Sequence, residues 1–185
     1  SRNLTIAAGN GIYPMVYSTD GMTWTGVEYN YLTSCSAVAF NGKMWLAGGA
    51  SSSLVTGASL AFSYDGINWN PIYNSLFTQV NDIIWAQNKW IVVSNGPTSI
   101  GYSYDGFSWI SGNYIQTTPP LEFKSITYGN NLFIAVGSNT SSAGTGPFSY
   151  MLISNDGINW DDSYKYNVPF NLSTNGIAYN GTMWI

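Results

Sequence analysis

The sequence contains no histidine and very few charged residues. Charged side chains make up 8% of the 185 residues, against about 25% in an average soluble domain. Without histidine the chain lacks the commonest general base and the commonest zinc ligand. The five basic residues are scattered and the net charge is −4, so no basic patch is available to displace the counterions of a nucleic acid. We therefore expect no nucleic-acid partner, and a surface covered largely by Asn, Ser, Thr, Gly and Tyr.

The sequence also has a single cysteine and no long apolar run. Cys35 cannot form an internal disulfide, and its apolar strand-like surroundings predict a small buried hydrophobic residue. No run approaches the roughly 18 apolar residues of a membrane helix, so we expect no membrane insertion. Hydrophobic residues nevertheless make up 45% of the chain, which indicates a folded globular protein.

The most informative pattern is one motif that occurs four times. Each copy reads Ser-x-Asp-Gly-x-x-Trp and follows Tyr, Phe or Ile. The copies succeed one another after 45, 40 and 51 residues, and periods of this length are typical of solenoids and propellers. The motif residues are Ser18, Asp20, Gly21 and Trp24; Ser63, Asp65, Gly66 and Trp69; Ser103, Asp105, Gly106 and Trp109; and Ser154, Asp156, Gly157 and Trp160.

A second recurring block precedes each motif and predicts a hairpin. Its copies begin at residues 37, 83 and 125 and place two β-rich runs around a turn with Asn or Gly. The Asp-Gly pair of the motif favours another hairpin with a two-residue type I′ turn, flanked by strands such as 67–69. One unit is thus four short antiparallel strands, as in a propeller blade. The sequence predicts an all-β fold, a β-propeller of four-stranded antiparallel blades.

The predicted blades form one domain, residues 1–185. A partial blade covers 4–27, three complete blades cover about 34–72, 80–112 and 123–161, and another partial blade covers 174–185. Residues 180–185 repeat the pattern of residues 41–46, so the sequence stops inside a predicted strand. We expect a fragment of a larger propeller. The alternative is a four-bladed ring closed by joining the two ends.

The motif resembles the Asp-box, also called the BNR repeat, of sialidases and other β-propellers. The usual Asp-box has one residue between Asp and Gly, whereas Asp65 directly precedes Gly66. The resemblance implies a structural role, in which the Asp carboxylate and the Ser hydroxyl bind the turn and the Trp covers the hairpin. A calcium site is the alternative, but the four Asp residues lie in separate blades and cannot converge on one ion. We expect no metal and no cofactor.

Few acidic residues remain for catalysis. Outside the motif the carboxylates are Asp82, Asp161, Asp162, Glu28 and Glu122. The resemblance suggests sialidase-like activity, yet that family binds its carboxylate substrate with three Arg residues, and this chain has only Arg2. Other glycosidases need two carboxylates facing each other across the scissile bond, and neighbours such as Asp161 and Asp162 would point in opposite directions from a strand. We expect a protein that is not an enzyme.

The connections between strands define two ends of the predicted blades. The one-to-two and three-to-four turns are tight and form a turn face, which should offer little to a ligand. The two-to-three and four-to-one connections, such as 50–58 and 138–147, form the opposite loop face, where recognition commonly resides. The candidate partner-binding residues are Tyr29, Tyr31, Tyr73, Phe77, Tyr114, Tyr164 and Tyr166. They could stack on sugars or anchor protein contacts; the alternative is that they fold inward over the seams between blades.

Two functional interpretations are open from the sequence alone. The first is a structural or binding propeller that makes protein contacts through its loop face, in a virion or another extracellular assembly. Short repeats of this style are similar to those of structural proteins of large viruses and phages, including capsid components. The second is a glycan-binding or sialidase-like propeller whose active site lies in sequence outside this chain. The low charge and the missing catalytic residues favour the first.

Overall fold

The computed structural model describes residues 4–28, 31–52, 56–74, 76–114, 121–139, 148–161 and 174–185. Within these ranges the chain forms short β-strands, and none of the described residues is helical. The strands are β1 (Thr5–Ala8), β2 (Met15–Ser18), β3 (Thr25–Gly26), β4 (Leu32–Phe40), β5 (Trp45–Ser51), β6 (Leu60–Ser63), β7 (Asn70–Ile72), β8 (Gln79–Ala86), β9 (Lys89–Asn95), β10 (Ile100–Ser103), β11 (Ile110–Ser111), β12 (Glu122–Gly129), β13 (Leu132–Asn139) and β14 (Phe148–Ser154). The part of the chain that the structure describes thus contains no helix long and apolar enough to cross a membrane.

The strands pair antiparallel with their neighbours in sequence and form blades. Blade I contains β1 to β3, blade II β4 to β7, and blade III β8 to β11. Blade IV contains β12 to β14, and a bridge between Ile153 and Asp161 adds a fourth segment. Blade V is a hairpin in which Tyr179 lies opposite Trp184. The all-β prediction is confirmed.

The hydrophobic core lies between the blades because their middle strands are apolar on both faces. Side chains of a strand alternate between its two faces, so in β5 Leu46 packs towards blade III and Ala47 towards blade I. Seam I–II contains Met15, Val27, Leu32, Cys35, Ala47, Ala61 and Trp69; seam II–III contains Ala37, Met44, Leu46, Leu60, Ile72, Phe77, Val80, Ile83, Trp90 and Val92; seam III–IV contains Ile91, Val93, Ile100, Tyr114, Leu121, Phe123, Ile126, Phe133, Ala135, Leu152 and Trp160. Each blade is therefore stabilised chiefly by its neighbours.

The first strands of blades III and IV are joined by hydrogen bonds beside a β-bulge. The register of β8 shifts between Val80 and Asp82, which re-aims the side chain of Asp82. Its carboxylate accepts the Ser125 hydroxyl at 3.0 Å and the Ile126 N–H at 2.9 Å, both from β12. Burial raises the pKa of Asp82, although these bonds and the Ile83 N–H oppose the shift. The carboxylate thus links blade III to blade IV.

An aromatic pair flanks the one-to-two turn in four blades. The two residues of each pair stand directly opposite each other on paired strands, with ring centroids 4.5–5.0 Å apart. The pairs are Phe40 with Trp45, Trp85 with Trp90, Tyr128 with Phe133, and Tyr179 with Trp184. Cross-strand aromatic pairs stabilise antiparallel hairpins. These pairs were not predicted, although their five-residue spacing is visible in the sequence.

The burial predicted for Cys35 is confirmed. Its side chain lies in seam I–II and is 2% exposed. Burial raises the pKa of the thiol to about 12, against which hydrogen bonding at Ala37 and Gly48 has a smaller effect. A nucleophilic thiolate is therefore scarce at neutral pH.

Candidate functional site

The four motif copies form loops with nearly the same hydrogen bonds. In the second copy the Ser63 hydroxyl donates to Asp65 Oδ1 at 2.9 Å and accepts the Gly66 N–H at 2.8 Å. Asp65 Oδ1 also accepts the N–H groups of Ile67 at 2.9 Å and Asn68 at 2.8 Å. The equivalent bonds recur in the other three loops. Each Asp carboxylate is thus occupied by donors from its own loop.

The type I′ turn predicted at Asp-Gly is wrong. That turn needs positive φ at both central residues, but only the motif glycines have it, at 69–85°. Pairing of β6 with β7 ends at Phe62 opposite Asn70, so residues 67–69 belong to a loop, not to a strand. The Asp carboxylate accepts hydrogen bonds from two successive backbone N–H groups, and these bonds set the loop conformation. Positive φ at two adjacent residues occurs instead in two one-to-two turns, at Gln87 with Asn88 and Asn130 with Asn131.

Hydrogen bonds lower the pKa of the motif carboxylates. At Asp20 the N–H groups of Thr23 and Met22, with the Ser18 hydroxyl, lower the pKa to about 2. At Asp105 and Asp156 burial acts in the opposite direction, but backbone and side-chain donors outweigh it and the pKa is again about 2. The pKa of Asp65 is lowered in the same way. A carboxylate that stays ionised and bonded at neutral pH has no proton to give as a general acid.

We expect the free energy of unfolding to fall as the pH drops from about 4 to about 2. The motif carboxylates have lower pKa values folded than unfolded, so their stabilising effect is complete above the unfolded pKa and is lost as the pH falls through the folded pKa. Asp82 acts in the opposite direction, since its pKa is raised. Urea unfolding between pH 2 and 7 measures the dependence. Asp156→Asn should make the dependence shallower, and stability that rises towards pH 2 would contradict the prediction.

The motif Trp of blades II, III and IV packs in the seam with the preceding blade. Trp69 is 3% exposed in seam I–II and Trp160 is 7% exposed in seam III–IV, while Trp109 packs against seam II–III. Trp69 Nε1 donates to the carbonyl of Gly66 at 3.2 Å. Trp24, in blade I, is 42% exposed. The loop therefore contributes to contacts between blades as well as to its own turn.

The motif glycines lie against the same seams. A Cβ atom at the glycine of blades II, III or IV would collide with a side chain of the preceding blade, whereas nothing lies within 4 Å of that position at Gly21. The colliding pairs are Gly66 with Leu4, Gly106 with Met44, and Gly157 with Ile91. These glycines also have positive φ, so both the crowding and the backbone conformation favour glycine at these positions.

Two of the predicted partner-binding residues are buried, which corrects their assignment. Phe77 is 4% exposed and its ring packs edge-on against Trp109, with centroids 5.3 Å apart. Tyr114 is 8% exposed, packs against Phe123, and accepts the Ser99 N–H at 2.7 Å. Both side chains cover seams, as in the alternative interpretation, because the connectors that carry them pass over the apolar gap between blades.

The other predicted partner-binding residues have different surroundings. Tyr73 is 67% exposed in the four-to-one connection of blade II, and Tyr31, directly before β4, is half-buried. Three residues lie outside the described residues, namely Tyr29, Tyr164 and Tyr166. Among the described members of the set, Tyr73 is thus the one whose side chain is largely exposed.

The turn face carries several large aromatic side chains that are exposed. Tyr64 is 68%, Tyr104 59% and Phe107 42% exposed, and Phe107 meets Phe62 of blade II edge-on at 4.9 Å. Tyr64, Tyr104 and Phe107 occupy the variable positions of the motif, whose side chains point away from the bonded loop. The tight turns of this face thus carry exposed aromatic side chains, which the sequence did not lead us to expect.

Three of the remaining carboxylates lie in blades III and IV, in different surroundings. Asp82 is occupied by the inter-blade bonds, and Glu122 contacts Lys124 at 3.2 Å. Asp161 lies opposite Ile153 in blade IV, while Asp162 lies outside the described residues. No group of three or more His, Cys, Asp or Glu residues that could hold a metal occurs in the part of the chain that the structure describes.

Sequential four-stranded antiparallel blades packed face to face define a β-propeller, and solved structures share this fold. YCF48 bound to D1 peptide matches with a TM-score of 0.63 and 16% identity, over 97% of this chain and 54% of that one. YCF48 from Cyanidioschyzon merolae matches with a TM-score of 0.55 and 18% identity, over 94% and 58% of the two chains. The computationally designed Ika4 protein matches with a TM-score of 0.55 and 11% identity, over 86% and 87%.

These similarities establish the fold and not the activity. The chain spans about half of the YCF48 chain that it matches, at 54% coverage. No protein-family model matches the sequence, and no curated protein matches it either. The predicted β-propeller fold class is confirmed.

Proposed function

We propose that this chain is a non-enzymatic binding propeller that contacts a protein partner through its loop face. The observation that carries the proposal is the exposure of large side chains there. Tyr73 is 67%, Tyr13 52% and Ile12 92% exposed. Tyr13 and Ile12 lie in the connection between β1 and β2, and Tyr73 lies in the connection between β7 and β8. Aromatic anchors of this kind dominate the energy of protein interfaces.

Backbone hydrogen bonds support the proposal because they hold these connections to neighbouring elements. The Cys35 N–H of blade II donates to the carbonyl of Gly9 at 3.0 Å, and the Asn74 N–H donates to the carbonyl of Gly57 at 3.2 Å. The Tyr13 ring lies directly against Gly26, where a Cβ atom would collide with it. Anchors that are fixed before binding lose less conformational entropy when they bind.

The solved relative provides independent support for a protein partner. YCF48, which shares the fold, is described as bound to D1 peptide. A propeller of this architecture can therefore present a surface to a polypeptide. The low charge of the present chain, 8% of residues, favours contacts made by aromatic and amide side chains over ion pairs.

The proposed absence of catalysis rests on the state of the described acidic and thiol groups. The motif carboxylates accept hydrogen bonds within their loops, Asp82 is bonded between blades, and the Cys35 thiol is buried. General acid–base catalysis and nucleophilic catalysis both need such groups accessible to a substrate. We also propose, from the Asn-, Ser-, Thr- and Tyr-rich composition, that the protein acts outside the cell or in a virion assembly. Immunogold labelling in the source organism tests this location.

Alanine at Tyr73 is expected to weaken partner binding at least tenfold. Peptides that bind the unmodified protein are selected from a displayed library. Biolayer interferometry then measures the Kd of each variant for these peptides. Tyr13→Ala, on the same face, should act similarly. Tyr64→Ala is the matched control, because Tyr64 is 68% exposed on the turn face of the same blade. Failure to select any peptide, or equal losses for Tyr73→Ala and Tyr64→Ala, would refute the proposal. A glycan array distinguishes the alternative of a glycan-binding propeller.

A further inference from the structure

Three aromatic rings form an exposed patch on the turn face where blades II and III meet. The ring of Phe62, in β6, contacts two others edge-on, with centroid distances of 5.7 Å to Tyr64 and 4.9 Å to Phe107. Phe62 is half-buried, whereas Tyr64 and Phe107 are exposed. We call these three residues the aromatic patch. Because Phe107 belongs to blade III and the other two to blade II, the patch depends on the packing of one blade against the next.

Comparison with the other seams shows that the motif does not require these rings. Isoleucine takes the place of Phe107 at the neighbouring seams, as Ile67 at seam I–II and Ile158 at seam III–IV. Thr19 takes the place of Tyr64 in blade I, yet its loop has the same hydrogen bonds. The three rings are therefore additional to the loop structure, and an exposed apolar patch of this kind is typical of an interaction site.

Two ionised carboxylates accompany the patch. Asp65 and Asp105 lie in the motif loops that carry Tyr64 and Phe107. They accept hydrogen bonds from hydroxyl, backbone and amide groups, which lower the pKa of each carboxylate but carry no charge to neutralise it. Oδ2 of Asp65 accepts the Asn68 amide at 2.8 Å, and a carboxylate oxygen can accept a second donor.

The described residues of the turn face carry fewer positive than negative charges. Each of the four motif loops contributes one carboxylate, and the one-to-two turns contribute Lys43 in blade II and Lys89 in blade III. Lys43 is exposed. Lys89 is 6% exposed, and its Nζ lies 6.0 Å from the centroid of the Phe133 ring. The excess of negative charge favours a cationic ligand.

We propose that the aromatic patch binds arginine side chains of a basic polypeptide segment. A guanidinium group stacks on aromatic rings and stays charged at neutral pH. Its N–H groups can also form charge-assisted hydrogen bonds with carboxylates such as Asp65. A neutral sugar would also pack on exposed rings, but it would gain no ion pair. This surface is additional to the proposed loop-face contact, since the patch lies on the opposite face from Tyr73.

The test measures peptide binding to the whole chain by fluorescence anisotropy. The probe is a labelled peptide of alternating glycine and arginine, and in the comparison peptide neutral citrulline replaces each arginine. Tyr64→Ala and Phe107→Ala each remove one exposed ring of the patch. The matched control is Met22→Ala, because Met22 holds the place of Phe107 in blade I and is 88% exposed. Tyr64→Phe keeps the ring, and circular dichroism checks that each variant is folded.

We expect Tyr64→Ala and Phe107→Ala each to weaken binding of the arginine peptide about fivefold or more. Met22→Ala, Tyr64→Phe and Tyr73→Ala should leave its Kd unchanged. The citrulline peptide should bind at least about tenfold more weakly, because it lacks the charge. Raising sodium chloride from about 20 mM to about 500 mM should weaken the arginine peptide, since salt screens the attraction to the carboxylates.

Several results would overturn the proposal. They are no binding of the arginine peptide, equal binding of the citrulline peptide, and the same Kd for Tyr64→Ala and Met22→Ala. Cellohexaose serves as the neutral-sugar probe, and tighter binding of it than of the arginine peptide would also overturn the proposal. A library peptide whose Kd depends on Tyr64 and not on Tyr73 belongs to this patch, so failure here leaves the loop-face contact standing.

Discussion

Replacing Trp69 with alanine is expected to lower the free energy of unfolding by about 3–5 kcal/mol. The indole is 3% exposed in seam I–II, and its removal leaves a cavity between two blades that their paired strands cannot close without losing their own packing. The loss also removes the Nε1 bond to the Gly66 carbonyl. Chemical unfolding followed by circular dichroism measures the change.

Trp24→Ala is the matched control for this experiment. Trp24 holds the same motif position in blade I but is 42% exposed, so we expect a loss of about 1 kcal/mol or less. If both variants lose the same stability, the Trp residues act only within their own hairpins. The claim that the motif Trp residues hold adjacent blades together would then be wrong.

Alanine at Gly49 or Gly137 is expected to cost about 3 kcal/mol or to prevent folding. At both positions a Cβ atom would collide with the backbone carbonyl of the adjacent first strand, that of Ser34 or of Glu122. Backbone atoms beside a β-bulge cannot shift as a flexible side chain can. The yield of folded protein and the urea midpoint measure the effect.

The repeat supplies a control for the glycine variants as well. Gly9 holds the equivalent position in blade I, where a Cβ atom would have nothing within 4 Å of it, so Gly9→Ala should be nearly neutral. Ser94 occupies the equivalent position in blade III. Its hydroxyl donates a hydrogen bond to the Thr98 carbonyl, which is a contact within that blade. A large loss for Gly9→Ala would show that backbone conformation, not crowding, decides these sites.

The repeat made the fold predictable because each blade encodes the same strands. A period of 40 to 51 residues with strand-like runs at fixed offsets identifies four-stranded units without any tertiary information. The roles of Asp65 and Ser63 within the loop followed from the short reach of their side chains. These are local properties, and local properties can be read from sequence.

What could not be predicted depends on contacts between blades. Phe77 and Tyr114 are aromatic residues of the kind that bind partners, but they are buried over seams, whereas Tyr73 is exposed. The turn type failed for a different reason: the preference of Asp-Gly for type I′ turns was outweighed by hydrogen bonds to the Asp65 carboxylate, which the dipeptide preference does not include.

Hydrogen exchange of the motif glycine amides tests most directly whether these loops join one blade to the next. The N–H groups of Gly21, Gly66, Gly106 and Gly157 all donate to the motif Ser hydroxyl at 2.8 Å, so the local bond is the same. The last three also lie against the preceding blade. We predict protection close to that of the central strands for these three and much faster exchange at Gly21. Equal protection at all four would contradict the account, because the motif would then be a self-contained turn.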